Sequence, residues 1–388
     1  MSFTKELKIS DAAYPRHPGG SLLVGQRLKI SYNKYTANYA IPDNQIAINL
    51  IFAHGTGMNK AVWNYHITKL FEIGAKSTTW KLATVVSLDA VNHGDAAMAN
   101  SGKLGWSHHW PDFGRDIVQV VKHEQKLWAH TFENGISSRN IVIGHSFGGF
   151  GAAYASFLEP QLFDSLVLIE PVVYHNPDPK YEKKFSAIFK KIATMLVDTF
   201  DSLEDYEAFF RNFSFYQKFH PSVLKDLMDD ELYTVVDPET GDTKYKTKAS
   251  VESQVCVYVS SAISLPGSDA MLQQIRIPST HIVGAAARWN PPESVPSIRK
   301  NLGNLWKTYD IENGEHLLNG ELPDETVEAI AEHIGGRVEA AIKNKDYFPE
   351  LQYNHNPKKI FEAQYAKILD GQMAQSTTFE APARDGKL

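Results

Sequence analysis

Apolar runs and helix-period segments alternate through the first 175 residues. Residues 27–32 alternate in the two-residue period of a strand. Residues 45–54 (Q-I-A-I-N-L-I-F-A-H) form a stronger strand, nearly all apolar, that ends in His54-Gly55-Thr56-Gly57. Residues 61–73 space Val62, Tyr65, Leu70 and Phe71 as a helix does, and Gly74 marks the predicted stop. Another apolar strand covers 82–89 and opens into the turn-rich Asn92-His93-Gly94-Asp95. Residues 113–128 read as an amphipathic helix, with Ile117, Val120, Val121 and Leu127 on one side. A short buried strand at 140–143 runs straight into Gly144-His145-Ser146-Phe147-Gly148-Gly149, and 162–170 is one more apolar strand. Strands buried on both faces, with helices between them, predict a mostly parallel sheet covered by helices.

After Glu170-Pro171 the pattern changes. Residues 174–271 hold long helical periods rich in Lys, Asp and Glu, with an aromatic cluster of Phe209, Phe210, Phe213, Phe215, Tyr216 and Phe219. Within 233–247, Asp237-Pro238-Glu239-Thr240-Gly241 has the composition of a hairpin turn. Sheet character returns at 280–285 and 305–311, and 324–342 is a helix. The predicted organisation is a core of residues 1–173 and 272–345 with a mainly helical cap, 174–271, inserted after the sixth strand. A polar extension, 346–388, follows, with helical spacing around 360–369.

Composition narrows the class. The chain has 388 residues, 43% of them hydrophobic and 22% charged, which excludes general disorder and fits one large domain carrying an insertion. A net charge of −6 with no basic block argues against nucleic acid or an anionic membrane as the main partner. The single cysteine, Cys256, can form neither an internal disulfide nor a multi-Cys zinc site. The N-terminus has no secretory h-region, and no stretch is long and apolar enough to span a membrane.

The strongest chemical signal is Gly144-His145-Ser146-Phe147-Gly148. G-x-S-x-G between a strand and a helix is the nucleophile elbow, a strained turn that lifts the Ser146 hydroxyl above the sheet. A glycine-rich turn alone could spell the same string. The buried strand before it and the small residues Gly149, Gly151, Ala152 and Ala153 after it favour the elbow. In that architecture the loop His54-Gly55-Thr56-Gly57 supplies half of an oxyanion hole. Thr56 is the first candidate donor and Gly57 the second; the N–H of Phe147 supplies the other half. The base is a late histidine on a loop, and His316 in Gly314-Glu315-His316-Leu317 fits. The loop after 280–285 has no Asp. The favoured acid is therefore Glu170, at the end of the preceding apolar strand, with Glu293 as the runner-up. His281 lies inside a strand and reads as structural, whereas His54, His93 and His145 read as supports near the site.

These segments together resemble the α/β-hydrolase superfamily, and more closely the fungal peroxisomal lipase group. A more distant resemblance is to the fungal peroxisomal acyl-CoA hydrolases of toxin and mycophenolic acid biosynthesis. It rests on His54-Gly55-Thr56-Gly57-Met58-Asn59-Lys60, Val91-Asn92-His93-Gly94-Asp95, the elbow through Phe150, Leu168-Ile169-Glu170-Pro171-Val172-Val173, His281-Ile282-Val283-Gly284-Ala285 and Gly314-Glu315-His316-Leu317. It covers roughly 20–175 and 275–335; the cap shows little that matches. The resemblance implies acyl transfer to water through Ser146, His316 and an acid, with no metal or cofactor. The acyl-CoA hydrolases place an Asp where this chain has Glu170. The ending Gly386-Lys387-Leu388 is similar to endings the group uses as a peroxisomal address, read by an import receptor, although Gly386 is atypical.

The expected activity is hydrolysis of carboxylic esters of apolar acyl chains. The alternatives are an acyl-CoA thioesterase, for which Lys183, Lys184, Lys190 and Lys191 are candidate phosphate contacts, and a non-catalytic binding protein of the same fold. The cap aromatics fit either an acyl pocket or ordinary core packing.

Overall fold

The computed structural model describes residues 2–128, 130–135 and 137–343, together with 358, 362, 365, 366 and 368–371. The tripeptide Gly386-Lys387-Leu388 and most of the 346–388 extension lie outside the described residues. Among the described residues eleven strands follow in chain order: β1 (Phe3–Asp11), β2 (Lys29–Ala37), β3 (Ile46–Ala53), β4 (Trp80–Leu88), β5 (Ser138–His145), β6 (Ser165–Ile169), β7 (Thr199–Phe200), β8 (Leu232–Val236), β9 (Thr243–Thr247), β10 (Ser279–Gly284) and β11 (Leu305–Ile311). Eight of them form one sheet in the order β1-β2-β4-β3-β5-β6-β10-β11. Strand β2 runs antiparallel to β1 and β4, and the remaining neighbours are parallel.

The central strands are apolar because both faces are covered. On one side pack the helices Trp110–Leu127 and Phe147–Leu158 through Phe113, Ile117, Val121 and Phe150. On the other pack Asn64–Lys76 and Pro323–Ile342 through Ile67, Leu70, Ile330 and Ile334. One polar pair sits in the middle of this apolar sheet. Asn49 of β3 donates from Nδ2 to Oδ1 of Asn140 on β5 (2.9 Å), and the two residues are register partners. A slip by one residue would break this buried bond and turn both amides to the other face of the sheet, so the pair supports the β3–β5 register.

Two local expectations need correction. The helix does not stop at Gly74 but runs to Lys76, with the Trp80 ring packed over Gly74. Strand β1 has no counterpart in the hydrophobic pattern, because it is an edge strand with mostly exposed side chains.

Between β6 and β10 the chain forms the helices Pro179–Met195, Leu203–Asn212, Pro221–Glu231 and Val251–Val259. It also forms a small antiparallel sheet ordered β7-β9-β8. The β8–β9 connection is the expected hairpin turn: Asp237 Oδ1 accepts the N–H groups of Glu239 (2.8 Å) and Thr240 (3.2 Å).

Candidate active site

The C-terminal ends of β5, β6 and β11 lead to one spot. Ser146 follows β5 directly and starts the helix Phe147–Leu158, with φ 54° and ψ −118°. A non-glycine residue holds such a conformation only where its surroundings impose it. Here Ser146 donates its N–H to Ile169 O (3.1 Å), and its own carbonyl accepts Val172 N–H (3.1 Å). The helix passes so close to β3 that a Cβ on Gly148 would lie 2.4 Å from Ala53 O. The G-x-S-x-G spacing is therefore a packing requirement.

The imidazole of His316 bridges the ends of β5 and β6. Its Nε2 lies 3.0 Å from Ser146 Oγ, and its Nδ1 lies 3.2 Å from Glu170 Oε2. Glu170 extends the ladder beyond β6 by donating its N–H to Ile282 O (2.8 Å). Its second carboxyl oxygen accepts Gly284 N–H (2.8 Å). Glu170 also adopts a positive φ, 43°. The carboxyl thus reaches across β10 to a histidine on the loop beyond β11. Glu293 is elsewhere: it is half-buried and accepts hydrogen bonds from the Tyr181 hydroxyl and the Asn176 amide of the inserted segment.

Burial sets the charges. It pushes the Glu170 carboxyl up to about 7, while the Gly284 N–H and the Asn290 side chain pull it back. It holds the His316 imidazole down at about 3, so the ring rests neutral with a lone pair available to the serine proton. The Trp289 ring stacks on His316, with centroids 5.3 Å apart and planes at 20°. Beyond Trp289 the aromatic row continues through Tyr258, Phe189, Phe185 and Tyr181. Sequence reading missed Trp289 and Tyr258. The only signal was a tryptophan in the loop where an Asp was sought.

The loop after β3 lies against the nucleophile: a Cβ on Gly55 would come within 3.3 Å of Ser146 Cβ. Gly55 O accepts Met58 N–H (3.2 Å) and the His54 Nδ1 proton (2.8 Å). Because the peptide is trans, this turns the Thr56 N–H the other way and keeps it out of the loop's own bonds. The N–H of Gly57 is spent on His93 Nε2 (3.0 Å), which leaves Thr56 as the candidate donor of the pair. Of the remaining histidines, His145 bonds His316 O through Nε2 (2.8 Å), and His281 is buried within β10.

Two recesses adjoin this loop. A narrow aromatic cleft, with about 20 Å³ of space for water-sized centres, begins at Gly57 and is walled by Phe209, Phe210, Phe213, Phe215 and Tyr216. Phe219 is not part of it and packs on Gly320. A larger polar recess, about 360 Å³, lies beyond Asn92 and includes Ser107, His108, Lys248, Ser253 and Cys256. The candidate phosphate contacts Lys183, Lys184, Lys190 and Lys191, four of the five lysines of the helix Pro179–Met195, are all exposed.

Asp89, Asp95 and Asp230 form the one carboxylate group with metal-like spacing found among the described residues. A protein cation already occupies it. The fully buried Lys60 ammonium lies 3.1, 2.7 and 2.6 Å from the three carboxylates.

Comparison with known proteins shows the family. Residues 50–329 match the Alpha/beta hydrolase family. The Peroxisomal membrane protein LPX1 of Saccharomyces cerevisiae is 30% identical over 361 residues, covering 90% of this chain and 91% of that protein. The crystal structure of the Saccharomyces cerevisiae peroxisomal alpha-beta-hydrolase Lpx1 superposes with a TM-score of 0.77 at 28% identity, covering 96% of this chain and 99% of the other. A Type I acyl-CoA thioesterase, mpaH of Penicillium roqueforti, is 27% identical over 45% of this chain and 38% of its own length.

Proposed function

The chain belongs to the alpha/beta hydrolase family, and from that premise we propose that it is a serine hydrolase of carboxylic esters with apolar acyl chains. The observation that carries the reading is the continuous bond chain Ser146–His316–Glu170 beneath a loop with a free-pointing amide. His316 Nε2 takes the Ser146 proton as Oγ attacks the ester carbonyl. Glu170 holds the Nδ1–H tautomer and stabilises the imidazolium. The Thr56 and Phe147 N–H groups receive the oxyanion. His316 returns the proton to the leaving alcohol and then activates the water that releases the acid. Residues 174–271 act as the cap, and the aromatic cleft of Phe209, Phe210 and Tyr216 takes the acyl chain.

The second reading is thioester hydrolysis, since mpaH is named an acyl-CoA thioesterase. Charge favours the ester. The two recesses beside the loop contain one cation between them, Lys248, already paired with Asp95 at 2.6 Å. CoA phosphates need several such partners. The test is kcat/KM for one medium acyl chain offered as a p-nitrophenyl ester and as a CoA thioester, with Ser146→Ala as control. Ester preference lost in the mutant supports the first reading, and CoA preference lost in the mutant supports the second. Turnover that survives the mutation removes both.

We place the protein in the peroxisome, on the ending Gly386-Lys387-Leu388 together with the named location of its relative. A fluorescent fusion carrying the last dozen residues should become punctate in yeast and lose that pattern when Leu388 is deleted. A diffuse signal refutes the assignment.

A further inference from the structure

We infer that His93 is a positioning residue for the oxyanion loop, and that the cap reaches this loop through it. The inference rests on the serine-hydrolase reading above. Its basis is a bond relay that crosses from cap to core. Ser253 O, on the cap helix Val251–Val259, accepts the Asn92 Nδ2 proton (2.9 Å). Asn92 Oδ1 faces His93 Nδ1 (3.0 Å), and His93 Nε2 accepts the Gly57 N–H (3.0 Å). The cap also holds the other side of the same residue, since the Tyr216 hydroxyl donates to Gly57 O (2.6 Å).

The relay assigns the tautomer. Gly57 can only donate, so Nε2 must carry the lone pair and Nδ1 the proton. His54 shows the same arrangement one step back: Nδ1–H donates to Gly55 O (2.8 Å), and Nε2 accepts Ala90 N–H (3.0 Å). The two rings lie 5.2 Å apart, fully buried, and burial holds both well toward the neutral form. Two successive loop peptides are thus gripped by neutral imidazoles. His54 sets the Gly55–Thr56 plane, and His93 sets the Thr56–Gly57 plane. The Thr56 N–H lies in the first of these planes, and His93, by holding the second, restricts the rotation about the Thr56 Cα that would let the first plane turn. Preorganised donors of this kind stabilise charge only if they are already aimed when it develops.

Nothing in this role needs His93 to touch substrate. Its effect should therefore appear where the oxyanion forms and not in ground-state binding. The test compares wild type, His93→Ala, His93→Gln and Asn92→Ala on the p-nitrophenyl ester. It also measures Ki for an alkyl trifluoromethyl ketone. In that complex Ser146 Oγ bonds the ketone carbon, the serine proton passes to His316, and the carbonyl oxygen becomes an oxyanion. The expected result for His93→Ala is a kcat lower by about 10–100-fold, KM within about threefold, and a Ki for the ketone that rises in step with the loss in kcat. Glutamine can present Oε1 near the position of Nε2, so His93→Gln should restore most of both losses. Asn92→Ala should give a smaller change in the same direction; it carries the comparison if His93→Ala does not fold. An unchanged kcat, a change confined to KM, a fall in kcat without a rise in Ki, or a failure of Gln to rescue would each overturn the proposal. Turnover in Ser146→Ala would instead sink the reading on which it rests.

Discussion

Replacing Glu170 by Gln should abolish activity while leaving the protein at least as stable in mild alkali. The wild-type carboxyl accepts from Gly284 N–H at 2.8 Å and faces His316 Nδ1 at 3.2 Å, with 3% of the residue exposed. Gln has nearly the same shape, and its amide oxygen can keep the Gly284 bond. That leaves the NH₂ group facing His316. A donor there forces the ring to carry its proton on Nε2, against the serine, which is the wrong tautomer for a base. The expected loss is about 10³–10⁴ in kcat/KM, or about 4–5 kcal/mol of transition-state stabilisation. Stability should move the other way. The folded carboxyl titrates at about 7 against 4.5 for the free group. Between those values the unfolded chain has lost a proton that the folded chain keeps, so stability falls as pH rises. The deficit is complete above pH 7 and amounts to about 3 kcal/mol. Gln cannot ionise and so escapes it. Thermal denaturation at pH 5 and pH 8, run beside steady-state kinetics, checks both halves. An activity loss below tenfold refutes the tautomer argument. A pH 8 Tm that falls with the activity refutes the electrostatic one.

Three further outcomes follow from the same geometry. The pH profile of kcat/KM should show an acid limb with one apparent pKa near 7, belonging to the Glu170–His316 pair as a unit and absent from the residual activity of Glu170→Gln; a limb that survives the substitution contradicts this. Ser146→Gly and Ser146→Ala should both lose fluorophosphonate labelling. The glycine variant should be the more stable by about 1 kcal/mol in urea unfolding, because only glycine holds φ 54° and ψ −118° without strain. Lys60→Met should cost about 3–5 kcal/mol, since it strips the ammonium from the fully buried Asp89 and the half-covered Asp230, while Asp95 keeps Lys248. A loss under 1 kcal/mol would mean that the carboxylates take up protons at no cost.

Much of this was determined by local sequence. Apolar runs of strand length with helical periods between them specify a covered parallel sheet, because burial on both faces leaves no polar positions to interrupt the run. The elbow was legible because its constraint is local: Ser146 needs small neighbours within four residues, and Gly148 has no room for a Cβ against Ala53 O. Position in chain order pointed to His316, and the end of an apolar strand favoured Glu170 over Glu293. The bonds that separate those carboxylates belong to tertiary structure: Glu170 extends the β6 ladder next to Gly284, and Glu293 turns to Tyr181. The same holds for Trp289 on His316, for the cleft that splits the Phe209–Phe219 cluster, and for the histidine relay behind Gly57. Trp289 and His316 lie 27 positions apart, Gly57 and His93 lie 36 apart, and Glu170 and Gly284 lie 114 apart. Hydrophobic period and turn chemistry act over a few residues. Which distant side chains share a proton or a wall is settled only when strand order brings their strand ends together.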